Sequence, residues 1–348
     1  MKIGLIGYPL SGKTTVFNAI TGLHARTDSF ISSGKEANVG LIRVPDERVT
    51  RLAEIYQPKK TTYAEISFVD LAGIAATAGG GFDSATLNLM RQVEAFTLVV
   101  RAFEDEAVSH PLTRIDPADD IRKIEEEMQL ADLIVLEKRL ERIVKEGKRG
   151  SAEFILLERC REVLEKGTPL REVDFGAEEL KTLAGFSFLS HKPRLALINT
   201  GEDNIGGDPA LKEKYESLIS FCASVEQQIT ELPSGEQGEF LEALGIEEPA
   251  RDKFIRAAYG LMNLISFFTV GKDEVKAWTI ERGTPAVRAA GKVHSDIERG
   301  FIRAEVVSYA DFIAEPNMTR MKELGRLRLE GKTYEVADGD IINFRFNV

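Results

Sequence analysis

The sequence predicts an α/β fold: a doubly wound sheet, an inserted antiparallel helical hairpin and a C-terminal domain made mostly of strands. Strand-like apolar runs alternate with helical stretches over residues 1–117 and again over 187–265, which is typical of a parallel sheet covered by helices. Between them, residues 118–186 carry apolar side chains at coiled-coil spacing. Over residues 266–348 the apolar side chains recur at the spacing of strands.

Composition limits the class of protein and its partners. The 348 residues suffice for two or three domains, and the net charge of −11 argues against broad adhesion to nucleic acid or anionic membranes. Neither DNA nor a membrane is therefore expected as a partner. Cys160 and Cys222 are too few for a disulfide framework or a zinc site. No apolar run approaches the about 18 residues of a membrane helix, so a cytoplasmic, soluble protein is expected.

A glycine-rich loop lies near the N-terminus. Residues 7–14 fit G-x-x-x-x-G-K-[ST], between a predicted strand at 3–6 and a predicted helix at 15–23. In that context the loop N–H groups wrap a triphosphate, Lys13 reaches its β- and γ-phosphates and the Thr14 hydroxyl binds Mg²⁺. The alternative is a glycine-rich turn with an exposed lysine, which would not need a strand before it and a helix after it. The nucleotide-binding residues predicted here are Tyr8, Pro9, Leu10, Ser11, Gly12, Lys13, Thr14 and Thr15.

Two segments have the positions of nucleotide switches. Residues 24–40 lack a strong period and follow the first helix, where a γ-phosphate sensor is expected. The next predicted elements are a strand at 41–44, an amphipathic helix at 46–56 and a strand at 64–69. The last strand runs into Asp70-Leu71-Ala72-Gly73, where the carboxylate suits the outer coordination shell of Mg²⁺ and the Gly73 N–H suits the γ-phosphate. A plain turn is the alternative for this D-x-x-G.

Polar residues follow the later strands of the nucleotide domain. The predicted elements are a helix at 87–93, strands at 97–103, 194–198 and 218–222, and helices at 240–246 and 254–264. Nucleoside triphosphatases with such a phosphate-binding loop recognise the base in the loop after the strand at 194–198. The base-binding residues predicted at these strand ends are Asn199, Glu202, Cys222, Ala223 and Ser224. His110 lies in the loop after residue 103, where an exposed loop residue is the default interpretation.

Residues 118–168 predict a hairpin of two helices. Their apolar positions recur three and four residues apart, as in Leu133, Leu136 and Leu140, and a short helix at 177–185 follows. The tip is basic, and its side chains form either a solvated face or a contact surface for RNA or a partner. These tip residues are Lys138, Arg139, Arg142, Lys145, Lys148 and Arg149.

The last 83 residues predict a β-grasp module, because strands surround one helix there. The predicted strands are 266–270, 277–280, 303–307, 328–329, 334–336 and 342–346, with a helix at 286–290 and loop or helix at 313–324. With 13 basic and 13 acidic residues this module is neutral, so the net negative charge belongs to the preceding part.

By these residues the chain resembles the YchF/Obg-like ATPase family of translation-associated proteins along nearly its whole length. The matching strings are Val44-Pro45-Asp46-Glu47-Arg48, Phe68 to Gly73, Asn199 with Glu202, Trp278-Thr279-Ile280, His294 to Val306, and Asp338 to Val348; the last three look like the family's TGS domain. The resemblance implies a slow, Mg²⁺-dependent ATPase in the cytoplasm that binds the ribosome at its large subunit.

The base preference also has a physical reason. Guanine presents N1–H and N2–H₂ donors to the aspartate of N-K-x-D, but Glu202 occupies that place and Thr200 replaces the lysine. Because a site built for particular hydrogen bonds rejects the wrong partner strongly, we expect ATP to be preferred over GTP. Asn199 and Glu202 could instead only cap a loop. A GTPase of the same fold remains an alternative.

Catalysis requires a group that positions water. Ile74 stands where related enzymes carry glutamine, and the resemblance implies His110 instead, whose side chain titrates near neutral pH. The catalytic residues predicted are therefore Lys13, Gly73 and His110, and the metal ligands are Thr14, Ser33 and Asp70.

The chain departs from the family pattern in three places. Leu10 stands in place of an asparagine that related enzymes use to hold an activating K⁺, so no stimulation by K⁺ is expected. Ser33 must serve where a threonine normally binds Mg²⁺, and residues 77–83 replace the usual second switch. A third hypothesis follows from the last two departures: a nucleotide-gated binding module without turnover.

Overall fold

The computed structural model describes residues 1–23, 25, 37–71, 81–105, 114–215, 217–233 and 235–347. The chain forms two compact units. One comprises Met1–Leu41 and Ser67–Phe254, and the other Ile42–Ile66 and Ile255–Val348. The three-part division predicted from the sequence, with its boundaries at 117/118, 186/187 and 265/266, stays a prediction.

The first unit is built on a six-stranded sheet in the order β2-β4-β1-β5-β6-β7. Its strands are β1 (Lys2–Ile6), β2 (Asn38–Arg43), β4 (Glu65–Asp70), β5 (Ala95–Ala102), β6 (Arg194–Thr200) and β7 (Leu218–Phe221). The pairs β1–β4, β1–β5, β5–β6 and β6–β7 are parallel, so these strands end at one edge. Seven of the eight residues of β5 are buried, as expected of a strand covered on both faces.

The helices, numbered along the whole chain, confirm most of the predicted elements. The first unit contains α1 (Lys13–Thr21), α3 (Ser84–Arg91), α4 (Pro117–Lys145), α5 (Ala152–Glu165), α6 (Ala177–Ala184), α7 (Pro209–Lys214), α8 (Ala223–Glu231) and α9 (Gln237–Ala243), while α10 (Ala250–Leu261) crosses the boundary of the units. The helix predicted at 254–264 begins four residues earlier and ends at Leu261. The sequence interpretation missed α7 and α8.

The predicted hairpin is confirmed as α4 and α5. Leu136, Leu140 and Ile143 of α4 are buried in one apolar cluster with Leu157 and Cys160 of α5. The side chain of Asp116 caps α4 and that of Ser151 caps α5, so both helix starts are satisfied locally. Two of the six basic tip residues are paired with acids, Arg139 with Glu153 and Lys148 with Glu146.

Two charged side chains, the buried Asp132 and the half-buried Lys192, fix the segment before β6. Asp132 of α4 accepts the N–H groups of Leu189 and Ser190 at 2.8 and 2.7 Å. Lys192 donates to the carbonyl oxygens of Met90 and Arg91 at the end of α3, at 2.8 and 2.9 Å. The segment that leads into β6 is therefore bonded to both α4 and α3.

The second unit contains the predicted β-grasp sheet, in the order β11-β10-β12-β8-β9-β3. Its strands are β3 (Lys60–Thr62), β8 (Leu264–Thr269), β9 (Glu274–Glu281), β10 (Phe301–Ser308), β11 (Arg328–Glu330) and β12 (Asp340–Phe346). Its helices are α2 (Glu47–Tyr56), α11 (Ala286–Val293), α12 (Ser295–Arg299), α13 (Tyr309–Ala314) and α14 (Met318–Glu323). β12 runs parallel to β8, and β8 forms an antiparallel hairpin with β9.

One prediction for this unit is corrected. Residues 334–336 are not a strand: the Ala286 N–H donates to Tyr334 O and the Val336 N–H donates to Thr284 O, so the segment bonds to the start of α11 rather than to a strand. Residues 60–62, for which the sequence interpretation gave no element, form β3 and pair in parallel with β9. In the described part of the chain, no helix is long and apolar enough to cross a membrane.

Candidate functional site

The glycine-rich loop joins β1 to α1, as predicted. Gly12 caps α1 at φ +84°, a conformation that favours glycine, and a Cβ there would lie 2.2 Å from Asn199 Nδ2. Gly7 is equally constrained, since a Cβ would lie 2.1 Å from the carbonyl oxygen of Val99. Because Gly12 has no side chain to cap α1, the first N–H groups of the helix have no side-chain capping partner and suit an anion.

A lysine, a threonine and an aspartate converge at the start of α1. Lys13 is buried, and its Nζ donates to Tyr8 O at 3.4 Å. Thr14 Oγ1 donates to Asp70 Oδ2 at 3.0 Å, and Asn38 Nδ2 donates to the same oxygen at 3.5 Å. This arrangement brings Thr14 and Asp70, two of the three predicted metal ligands, into direct contact.

Burial shifts the protonation of both charged groups. It lowers the pKa of Lys13, an effect that the nearby Asp70 charge opposes. It raises the pKa of Asp70, against the opposing effects of Lys13, Thr14 and Asn38. An added partner of opposite charge would stabilise the charged form of each group: an anion for Lys13 and a cation for Asp70. These are the charges of a nucleoside triphosphate and its metal.

Asn199 connects the loop to the end of the sheet. Its Nδ2 donates to Ser11 O at 3.0 Å, and its Oδ1 accepts the Ala223 N–H at 3.3 Å. Cys222 precedes α8, and its Sγ lies 3.3 Å from Ser224 Oγ. The predicted base-binding residues at 199 and 222–224 are therefore adjacent to the loop. Asn199 does not merely cap its own turn.

The other predicted residues differ in their surroundings. Tyr8 is buried in the apolar cluster that contains Ile121 and Ile124, and burial raises its pKa to about 12. Its ring therefore attaches the loop to this apolar cluster. Leu10 has φ +64° and is 40% exposed, and Pro9 and Thr15 are half-buried. Glu202 is exposed and begins a single helical turn, Glu202–Asn204.

Three predicted residues lie outside the described residues: Gly73, His110 and Ser33. Ile74 does so as well. Their predicted roles stay predictions.

The sequence interpretation missed Arg101 and Phe103. Arg101 is 1% exposed, donates through Nε to Phe103 O at 2.9 Å and has its guanidinium 4.4 Å from the Phe103 ring centre. Phe103 also borders the site, because a Cβ on Gly201 would lie 3.5 Å from its Cβ. An arginine inside an otherwise apolar strand was the signal available in the sequence.

Several buried polar atoms at this edge have no hydrogen-bond partner among the described residues. They are Ser11 Oγ, Arg101 Nη1, Thr200 Oγ1 and Ser220 Oγ. Unsatisfied buried donors and acceptors are costly, so their presence at the carboxyl ends of β5, β6 and β7 suits a polar ligand. The residues present therefore fit a nucleotide.

Together, a parallel sheet, a strand–loop–helix with Lys13 and Thr14, and Asp70 at the next strand end define a P-loop nucleoside triphosphatase fold. A family model described as a 50S ribosome-binding GTPase matches residues 2–139, and a C-terminal YchF model, described as a protein of unknown function, matches residues 264–347. The "Ribosome-binding ATPase YchF" of Bacillus subtilis is 41% identical over 365 residues, covering 100% of both chains. The chain belongs to the YchF family.

Further relatives agree. The Escherichia coli O157:H7 protein of the same name is 41% identical over 360 residues, covering 100% of this chain and 99% of that one. The solved structure of the Schizosaccharomyces pombe YchF GTPase has a TM-score of 0.86 at 28% identity, covering 99% of this chain and 97% of that one. A GTP-binding protein from Pyrococcus horikoshii has a TM-score of 0.62 at 18% identity over the full length of both, which shows the fold alone.

Proposed function

We propose that this chain binds ATP with Mg²⁺, hydrolyses it slowly and acts as a ribosome-associated switch in the cytoplasm. The observation that carries the proposal is the convergence of Lys13, Thr14 and Asp70 at the uncapped start of α1. The names of the relatives support ATP and the ribosome as ligand and partner.

The roles of the phosphate-binding residues follow from their chemistry. Lys13 would neutralise the β- and γ-phosphates; burial lowers its pKa, and a nearby anion would stabilise its charged form. Thr14 would bind Mg²⁺ directly, Asp70 would hold its water ligands, and Ser33 is the proposed further ligand. Mg²⁺ supplies charge neutralisation on the phosphates when bound. Gly73 is proposed to donate to the γ-phosphate and His110 to orient the water.

The base is proposed to be adenine. The Asn199 side chain donates to Ser11 O and accepts the Ala223 N–H, so it holds the loop rather than donating to a base. Glu202 replaces the aspartate that accepts from guanine and is exposed. Adenine would be held largely by backbone groups near 199–202 and 222–224.

Two measurements on wild type and Lys13→Ala test the proposal. The first is titration with ATP and with GTP in the presence of Mg²⁺, and the second is single-turnover release of phosphate. We expect ATP to bind more tightly than GTP, and Lys13→Ala to lose phosphate release. Lys332→Ala, an exposed lysine in the other unit, is the matched control and should behave as wild type.

The outcomes separate three functions. Tighter binding of GTP, together with release of phosphate from it, would make the chain a GTPase, as the Schizosaccharomyces pombe relative is named. Binding of ATP with phosphate traces that Lys13→Ala leaves unchanged would make it a nucleotide-gated module without turnover. Failure to bind either nucleotide at millimolar concentration would refute the proposal.

The hairpin tip is the proposed ribosome contact, because five of its six basic side chains are exposed. They are Lys138, Arg142, Lys145, Lys148 and Arg149. Charge reversal at Lys145 and Arg149 should weaken co-sedimentation with ribosomes and reduce its salt dependence. Reversal of Lys166 and Lys181, exposed elsewhere in the first unit, makes the same charge change away from the tip. Equal co-sedimentation of all variants with ribosomes would exclude the tip as the ribosome contact.

A further inference from the structure

A cavity with a volume of about 560 Å³ lies in the second unit. It opens where β12 runs past the end of its neighbour. β8 ends at Thr269, and in the described residues 264–347 β12 pairs with it through Ile341↔Phe268. β12 then continues to Phe346, bordered by Thr269 and Val270 across the cavity. We call this space the β12 notch.

The notch exposes one backbone edge of β12. On its other side β12 pairs with β10 as far as Phe346↔Phe301, and the Asn347 N–H donates to Gly300 O at 2.9 Å. Successive N–H groups of a strand point to opposite sides. The N–H and C=O groups of Phe344 and Phe346 therefore point toward the notch. An unpaired strand edge of this kind is a template for another strand.

Apolar side chains line the notch above and below the sheet. Val293 and Ile297 lie on the α11 side, which is also the side of Phe344 and Phe346. Tyr56, Met318 and Leu327 lie among the lining residues as well. Since the side chains of an extended segment alternate between two faces, apolar residues of an added strand could pack on both sides.

The lining carries no net charge. Glu305 and Arg345 are its charged residues, and they pair with each other at 3.0 Å. Asn343 donates to the remaining Glu305 oxygen at 2.8 Å. A charged side chain entering the notch would lose water without gaining an unpaired counter-charge, which is costly. An uncharged segment is the complementary occupant.

We propose that the β12 notch binds a short, extended and uncharged peptide segment of a partner protein, which adds a strand to the free edge of β12. The volume lies in the range of ligand sites, and the edge from Phe344 to Phe346 spans about three residues, or about 10 Å. Main-chain hydrogen bonds would supply affinity, and the apolar walls would select the side chains. The proposal is independent of nucleotide binding.

The probe is the capped peptide acetyl-Val-Thr-Val-Thr-Val-amide, titrated against the full chain and followed by the NMR signals of the Phe344 and Phe346 amides. A twin peptide with its inner amide nitrogens methylated keeps the side chains but cannot form the ladder. We expect the plain peptide to bind in the micromolar to low millimolar range and to shift both amides. The methylated twin should bind at least tenfold more weakly.

Two variants separate the backbone from the side chain. Phe346→Pro removes an N–H that faces the notch and leaves the pairing with β10 intact, whereas Phe346→Ala keeps the N–H and removes only the ring. We expect Phe346→Pro to bind the plain peptide at least tenfold more weakly than Phe346→Ala, with similar melting temperatures. If Phe346→Pro fails to fold, the affinities of the plain and the methylated peptide for the wild-type protein decide whether a strand is added.

Three results would overturn the proposal. Equal binding of the two peptides would mean an apolar pocket without strand addition. No binding of the plain peptide at several millimolar would mean that the edge is closed to strands. A concentration-dependent dimer that Phe346→Pro abolishes would mean that a second copy of this chain occupies the edge.

Discussion

Replacing Asn199 with alanine tests how the phosphate loop is attached to the sheet. The Asn199 side chain is 3% exposed, donates to Ser11 O at 3.0 Å and accepts from the Ala223 N–H at 3.3 Å. Alanine would leave a buried carbonyl oxygen and a buried N–H without this partner. Each such loss costs about 1–3 kcal/mol, so we expect the free energy of unfolding to fall by about 2–6 kcal/mol.

The assay is urea unfolding of the full chain, combined with a titration of ATP. We expect Asn199→Ala to lower the urea midpoint and to weaken ATP, because the loop around Gly12 loses its neighbour. Asn88→Ala is the matched control, since Asn88 is exposed on α3 and its loss should change stability by less than about 0.5 kcal/mol. An Asn199→Ala protein with the wild-type midpoint and slope would refute the idea that this amide holds the loop.

Three further outcomes are expected. Gly12→Ala should abolish ATP binding because its Cβ would meet Asn199 Nδ2, whereas Gly22→Ala, at φ +69° in open space, should keep it; equal titrations would contradict this. Lys192→Met should lower stability in thermal unfolding by about 1–3 kcal/mol, because carbonyl oxygens at the end of α3 lose their donor, and an unchanged melting temperature would argue against that role. Burial raises the pKa of Asp132 to about 6, against two opposing N–H bonds, so the folded state holds a proton that the unfolded state releases near pH 4. Stability should therefore fall as pH rises from about 4 to 6 and then level off, and Asp132→Asn should remove this part of the curve; an identical pH profile in urea would show that Asp132 does not titrate there.

Local patterns were sufficient for the nucleotide half of the fold. The run at residues 3–6, the motif at 7–14 and the apolar run before Asp70 each predict their element from a few neighbouring residues. The convergence of Lys13, Thr14 and Asp70 follows, because parallel strands end at one edge of the sheet.

Contacts distant in sequence could not be predicted in this way. Lys60–Thr62 forms a strand because β9, more than 200 residues later, offers a partner, and three residues are too short a run to predict a strand by themselves. Residues 334–336 alternate like a strand but bond to the start of α11 instead. The position of Arg101 under Phe103 likewise depends on tertiary packing. Tertiary structure overrode local preference at each of these places.

The path of the chain between the two units limits how the protein can be shortened. The second unit receives Ile42–Ile66 from within the N-terminal sequence, and Thr62 bonds there to Glu274 at 2.6 Å while Arg48 bonds to Asp338 at 3.0 Å. A gene fragment that stops before residue 264 would still encode α2 and β3 but delete the partners that they need. Poor solubility of such a fragment would be caused by α2 and β3 without their partners and not by a defect of the nucleotide-binding fold. To remove the second unit entirely, an excision has to take out residues 44–64 as well and rejoin β2 to β4 through a new turn.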